Sequence, residues 1–142
     1  MEQHLKPGIL IKFIDNAVKK NCNSMLKEMN LTSTQLDVLM YLLSSQDREV
    51  NQTDIEREFK IKNPTVTGIL NRLEAKGFVR RAVSSSDARV KRILVTGKSR
   101  EIEKKVHQKG ALIEDGLLRG FTKEEQEQLS AFLKRVLDNV FD

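Results

Sequence analysis

The chain has 142 residues, 39% of them hydrophobic, 32% charged and only 5% aromatic, with a single cysteine. That length suits one domain with a real core, one cysteine excludes an internal disulfide framework, and the scarcity of aromatics favours helices over an all-β fold. The net charge of +5 is spread unevenly: from Arg57 to Arg100 twelve Lys or Arg face only Glu58, Glu74 and Asp87, a net of +9 that leaves −4 for the rest of the chain, which fits a polyanion site on one patch or, on charge alone, a solvated basic face.

At the N-terminus, Met-Glu-Gln-His offers no basic segment ahead of an apolar core, so no signal peptide is expected. The apolar run Ile9-Leu10-Ile11 is far too short for a membrane span, and a cytoplasmic protein is the expectation. Residues 5–29 place Leu5, Leu10, Phe13, Ile14, Val18, Cys22, Met25, Leu26 and Met29 at helical spacing, with a kink or fray expected near Pro7-Gly8. A second helix is expected from Thr32, where Thr32-Ser33-Thr34-Gln35 has the form of a capping box, through Leu36, Leu39, Met40, Leu42 and Leu43. Val50 is placed to add a short third strand to a later sheet. Asn51 then caps a short helix carrying Ile55 and Phe59, with Asp54 favourably placed in its first turn.

Lys60-Ile61-Lys62 has the length of a helix-turn-helix joint. In the next helix Asn63 is the expected N-cap and Pro64 the first helical residue. Val66, Ile69, Leu70 and Leu73 recur on one buried stripe, and Gly77 supplies the stop. The opposite face carries Pro64, Gly68, Asn71 and Ala75, flanked by Thr65, Thr67 and Arg72. A face meant only for water would carry long Glu and Lys; this one is cleared for close approach to a flat, hydrogen-bonding surface. Phe78–Val83 and Val90–Val95 then read as two basic, β-branched strands, and Ser84-Ser85-Ser86-Asp87-Ala88-Arg89 is turn chemistry. Helix, tight turn, helix and basic hairpin make a winged helix-turn-helix, with the second helix in a DNA major groove and the wing on the adjacent backbone or minor groove.

Beyond Thr96 the chain returns to long helices, one with Ile102, Val106, Leu112, Ile113, Leu117 and Leu118 and a last one opened by the capping box Thr122-Lys123-Glu124-Glu125. The last helix carries Leu129, Phe132, Leu133, Val136, Leu137, Val140 and Phe141 on one stripe. Such a stripe needs a partner, and the expectation is a homodimer in which the N- and C-terminal helices interlock. The expected organisation is mainly α with a small β-wing: residues 1–31 and 97–142 as helical dimerisation region, 32–96 as winged helix-turn-helix.

Asn63–Thr96 resembles the MarR family of bacterial and archaeal winged-helix regulators. The resemblance rests on Thr65-Val66-Thr67, the run Arg72-Leu73-Glu74-Ala75-Lys76-Gly77-Phe78-Val79, Arg81, the wing pair Asp87-x-Arg89 and the closing Leu94-Val95-Thr96. With Leu31-Thr32 and the flanking helices it extends over nearly the whole chain; Gly97-Lys98-Ser99 departs from it, the family's glycine falling a few residues later. It implies a homodimeric repressor on a pseudo-palindromic operator in double-stranded DNA. It also implies a small aromatic or anionic effector held between the dimer helices and the winged domain, by residues of the first, second and fifth helices.

On this reading Asn63, Thr65, Thr67, Asn71 and Arg72 approach base edges or phosphates. Arg89 at the wing tip enters a narrowed minor groove, drawn by its negative potential and oriented by a charge-assisted hydrogen bond that it donates to Asp87. Arg80, Arg81, Lys91, Arg92 and Lys98 supply phosphate contacts. Two rival readings are a redox switch at Cys22 and a winged-helix module for protein interaction. Against the first, Cys22 falls on the apolar stripe, where a thiol is inert. His4 and His107 belong to no spaced ligand set, and no nucleophile elbow, phosphate loop or dinucleotide fingerprint is present, so neither metal, cofactor nor catalysis is expected.

Overall fold

The computed structural model describes residues 6–141; His4 and Leu5 lie outside the described residues. The order is α1 (Pro7–Met29), α2 (Ser33–Ser44), α3 (Gln52–Phe59), α4 (Asn63–Ala75), β1 (Val79–Val83), β2 (Lys91–Val95), α5 (Gly97–Leu117) and α6 (Lys123–Val140). The chain divides after Val106, within α5, into two compact units.

Side chains that satisfy the first backbone N–H groups set three of the helix starts. Thr32 and Gln35 exchange side-chain and backbone bonds of 3.2 Å each, Asn51 and Asp54 do so at 3.0 and 2.9 Å, and Thr122 and Glu125 at 3.1 and 2.8 Å. Two expected starts differ. Pro7 opens α1 instead of kinking it, because a missing N–H and a fixed φ cost nothing at the first helical position. In α4 the cap position falls on Lys62, with no side-chain bond, and Asn63 is already helical. There the Lys62 carbonyl accepts from the amides of Thr65 and Val66 at 3.1 and 3.2 Å, and the Asn63 side chain turns to the Thr67 hydroxyl, 3.4 Å away.

The first unit closes around one core. Val38, Leu39, Ile55, Val66, Leu70, Leu73 and Phe78 are almost fully buried, joined by Leu26 and Met29 from the end of α1, by Leu31 just after it and by Ile102 from α5. The core therefore reaches across both boundaries expected for the winged segment, 31/32 and 96/97. Gly77, at φ +84°, makes the turn that delivers Phe78: its N–H donates to Glu74 at 3.0 Å, and the Phe78 N–H to Leu73 at 2.9 Å. This double closure of a helix end needs a left-handed residue, which glycine adopts without strain. Lys76 Nζ ties the same helix end to Asn30 O at 2.7 Å and to Gln35 Oε1 at 2.9 Å.

β1 and β2 pair antiparallel from Val79↔Val95 to Val83↔Lys91. The expected third strand at Val50 shrinks to a single bridge, Asn51↔Arg92, with the Ile93 N–H donating to Val50 O at 2.7 Å. In the second unit α6 has no buried residue, and Phe132, Leu133, Val136, Leu137 and Val140 are 39–71% exposed.

Candidate nucleic-acid interface

The outward face of α4 is held by bonds from behind. Thr67 is half-buried, while Asn63, Pro64, Thr65, Asn71 and Arg72 are exposed. The Thr67 hydroxyl donates to Asn63 O at 2.9 Å and accepts from Gln52 Nε2 at 2.7 Å. Gln52 also donates to Asn63 O at 3.3 Å, so the first residue of α3 pins the start of α4. Asn71 Oδ1 accepts from Arg81 Nη2 at 3.0 Å. Since arginine has no acceptor, Asn71 must turn its oxygen to Arg81 and keep its NH2 available. The Arg72 guanidinium folds back over the helix, with Nη1 3.2 Å from where a Cβ on Gly68 would stand.

In the wing, Asp87 and Arg89 come together as expected from the sequence. Arg89 Nε reaches Asp87 Oδ1 and Nη2 reaches Oδ2, both at 3.2 Å, and the Arg89 amide donates to Oδ1 at 3.0 Å. The side-chain bonds from Arg89, and then its amide, hold the Asp87 carboxyl below its ordinary value. The Arg89 side chain remains 90% exposed. It is thus oriented at one side and open at the other.

The base of the wing is fastened by Glu49, which the sequence reading did not single out. Its Oε1 accepts the Ser85 amide at 3.0 Å and the Ser85 hydroxyl, and its Oε2 accepts the Ser84 hydroxyl at 2.8 Å. Arg92 Nη1 lies 3.2 Å from the same carboxylate. The Ser85 hydroxyl, the Ser85 amide, the Ser84 hydroxyl and the Arg92 charge, in that order, pull the Glu49 carboxyl down to about 2.

Three basic residues expected at phosphates also make contacts within the fold. Arg92 is half-buried on Glu49, because it lies beside the Val50–Asn51 segment that bridges β2. Arg81 points from β1 to α4 and holds Asn71. Lys98 donates to Lys76 O and sits 4.5 Å over the Phe78 ring. Arg80 and Lys91 are exposed, and neither makes an ion pair among the described residues. Between the start of α4 and the wing lies a cleft of about 410 Å³, lined by Gln52, Asn63, Thr67, Arg81, Arg89 and Lys91 among others.

Cys22 is half-buried rather than sunk in the core. Among the described residues no three His, Cys, Asp or Glu gather to hold a metal ion, and no helix is long and apolar enough to cross a membrane.

Comparison with known proteins bears on this geometry. The MarR family model matches residues 29–90, from the end of α1 to the wing. The HTH-type transcriptional regulator YybA of Bacillus subtilis (strain 168) is 25% identical over 130 residues, 92% of this chain and 85% of its own. Among solved structures, the transcription regulator MarR from Oenococcus oeni PSU-1 is 32% identical over 94% of this chain and 99% of that one, with a TM-score of 0.63. The S. aureus MepR–DNA complex is 27% identical over 94% and 98%, with a TM-score of 0.81.

Proposed function

The chain belongs to the MarR family of DNA-binding transcriptional regulators, and we propose that it acts as a homodimeric repressor that reads a pseudo-palindromic operator and leaves it when a small effector binds. The observation that carries the reading is the wing tip. Arg89 is held outward by Asp87 beside a helix whose exposed face is cleared to Pro64, Thr65, Gly68 and Asn71. MepR, solved on DNA, shares this fold and lends support to the same use of it here.

Asn63, Thr65, Asn71 and Arg72 meet bases and nearby phosphates in the major groove, and Arg89 enters the minor groove. Thr67, bonded to Gln52 and Asn63, sets the height of the helix start. Arg92 serves as a strut for the wing through Glu49. Exposed Lys91, which lines the cleft beside α4, supplies affinity without sequence preference.

One recognition helix reads too few base pairs to find a site in a genome. Two copies with recognition helices about 34 Å apart read a palindrome. The dimer contact is assigned to the apolar faces of the terminal helices: Ile9, Leu10, Phe13 and Ile14 of α1, with Phe132, Leu133, Leu137 and Val140 of α6, are all 42–71% exposed in the single chain. Burying the five large apolar side chains of the α6 stripe from about half-exposed contributes roughly 5 kcal/mol per chain. An effector acts by favouring whichever arrangement of the two wings fits DNA poorly. A small aromatic or anionic molecule between α1, α2 and α5 is the form this takes here.

The test is fluorescence anisotropy with a duplex from the protein's own upstream region and a scrambled duplex at equal length and salt. Wild type prefers the native duplex, and Arg89→Ala loses about 1–3 kcal/mol of that affinity. Equal, weak binding of both duplexes by both proteins would turn the reading toward a winged-helix module that docks protein.

A further inference from the structure

Strand alternation separates the basic residues of the wing onto two faces. Arg81 reaches α4, so Arg80 points to the other side, and the register Arg80↔Leu94 puts Arg92 there with it. On that side a pocket of about 170 Å³ opens between the end of α2, the outer edge of β2 and the first turn of α5. Arg48, Arg80, Arg92 and Arg100 line it with Gln46, and among the described residues no Asp or Glu does. Arg48, Arg80 and Arg100 make no ion pair among the described residues. Their bonds go to neutral oxygens where they have them: Arg48 Nη2 to Tyr41 Oη at 3.2 Å, Arg100 Nη2 to Gln46 Oε1 at 3.3 Å. Arg92 Nε is buried and bonds to nothing among the described residues, against the rule that buried donors are paired.

Three cations without an ion pair among the described residues, beside Arg92 on Glu49, converge on one concavity and repel each other, and a surface shaped only for solubility would intersperse more carboxylates. A single carboxylate ligand satisfies one guanidinium fork; a phosphate, with three or four oxygens and up to two charges, can accept from several at once. The pocket is smaller than the ~300 Å³ at which sites for drug-sized ligands begin, so it suits the phosphate group and little more. No residue of α1 lines it, which sets it apart from the effector crevice expected between the helices.

We propose that this pocket binds the phosphate group of a small free anion, and that its occupant draws Arg92 off Glu49 and so loosens the Ser84–Ser85 base of the wing. The coupling rests on the DNA reading given above; the binding does not. The experiment uses full-length protein and inorganic phosphate, with chloride at matched ionic strength as the control. Titration calorimetry without DNA is expected to show saturable phosphate binding, weakened at least tenfold in the Arg48→Gln/Arg100→Gln double variant. Arg100→Gln alone serves if the double variant fails to keep the wild-type melting temperature. In anisotropy, phosphate is expected to weaken wild-type binding to the upstream duplex beyond chloride and to leave the variant's binding unchanged.

Identical responses to phosphate and chloride, or undiminished phosphate binding by the variant, overturn the site. A variant that loses DNA affinity in phosphate-free buffer also overturns it, by assigning the pocket to a backbone phosphate. Phosphate binding with unaltered DNA affinity overturns the coupling. Saturable phosphate binding by a chain with no duplex preference upholds the site and removes the DNA reading instead.

Discussion

Gly68→Ala should make the protein more stable and a worse DNA binder. Gly68 lies inside α4, and alanine is favoured over glycine in a helix interior by about 0.8–1.0 kcal/mol. An added Cβ meets one group, Arg72 Nη1 at 3.2 Å. That group ends a flexible, exposed side chain and can yield by a few tenths of an ångström, which leaves a net gain of roughly 0.5–1 kcal/mol. For a chain of this size the gain corresponds to about 2–4 °C in melting temperature. On the outer face the same methyl stands where the helix backbone would approach the groove floor, and it displaces the Arg72 guanidinium. Overpacking of that kind costs about 1–3 kcal/mol, or roughly five- to 150-fold in affinity. Thermal denaturation and anisotropy on one preparation separate the two effects. A higher melting temperature with unchanged affinity would mean that the Gly68 face does not approach DNA. A lower melting temperature would mean that Arg72 is fixed in place and cannot give way.

The Glu49 carboxyl should titrate in a carboxyl-detected NMR experiment with a midpoint at about 2. Its contribution to stability is then complete above the ordinary carboxyl value of 4.5 and is lost as pH falls through about 2; a midpoint near 4.5 would show that the Ser84–Ser85 contacts do not persist in solution. Leu137→Asp changes a residue that is 52% exposed in the single chain, so in a monomer it should shift stability by no more than about 0.5 kcal/mol. In the proposed dimer it buries a charge, and sedimentation velocity should show the dimer replaced by monomer; an unchanged sedimentation coefficient would move the interface away from α6.

Local signals were legible in the sequence and distant ones were not. The caps at Thr32, Asn51 and Thr122 work within one helical turn, and the Val66–Leu73 stripe is a matter of period; each is present as read. Asp87 and Arg89, two residues apart, meet for the same reason. The contacts that hold the reading surface join residues that sequence does not bring near each other. Gln52 and Thr67 are 15 apart, Glu49 and Ser85 are 36, and Asn71 and Arg81 are 10. Charge alone could not tell Arg92 from Arg89, because both are arginines of a basic hairpin. What divides them is the chain passing beside β2 at Val50–Asn51, which supplies Glu49 as a partner for one and leaves the other 90% exposed. The cap of α4 falls one residue before Asn63, at Lys62, and the Asn63 side chain faces Thr67.

Asp87 poses a question of sign. A carboxylate at the wing tip repels a DNA backbone, so deleting it should strengthen binding by electrostatics alone. Yet it holds Arg89 through three bonds, and a free arginine side chain carries about 2 kcal/mol of rotamer entropy that must be given up on entering a groove. The repulsion acts through solvent and is screened over about 8 Å at physiological salt, whereas the ordering of Arg89 is local and insensitive to salt. Asp87→Ala should therefore steepen the salt dependence of binding and cross the wild type. At low salt its affinity for non-specific duplex equals or exceeds that of wild type, and at physiological salt its affinity for the native duplex is lower. Anisotropy titrations of both duplexes across a salt series give the two slopes. Affinity for the native duplex at or above the wild-type value at every salt concentration would mean that Asp87 only repels, and that Arg89 finds the groove without being aimed.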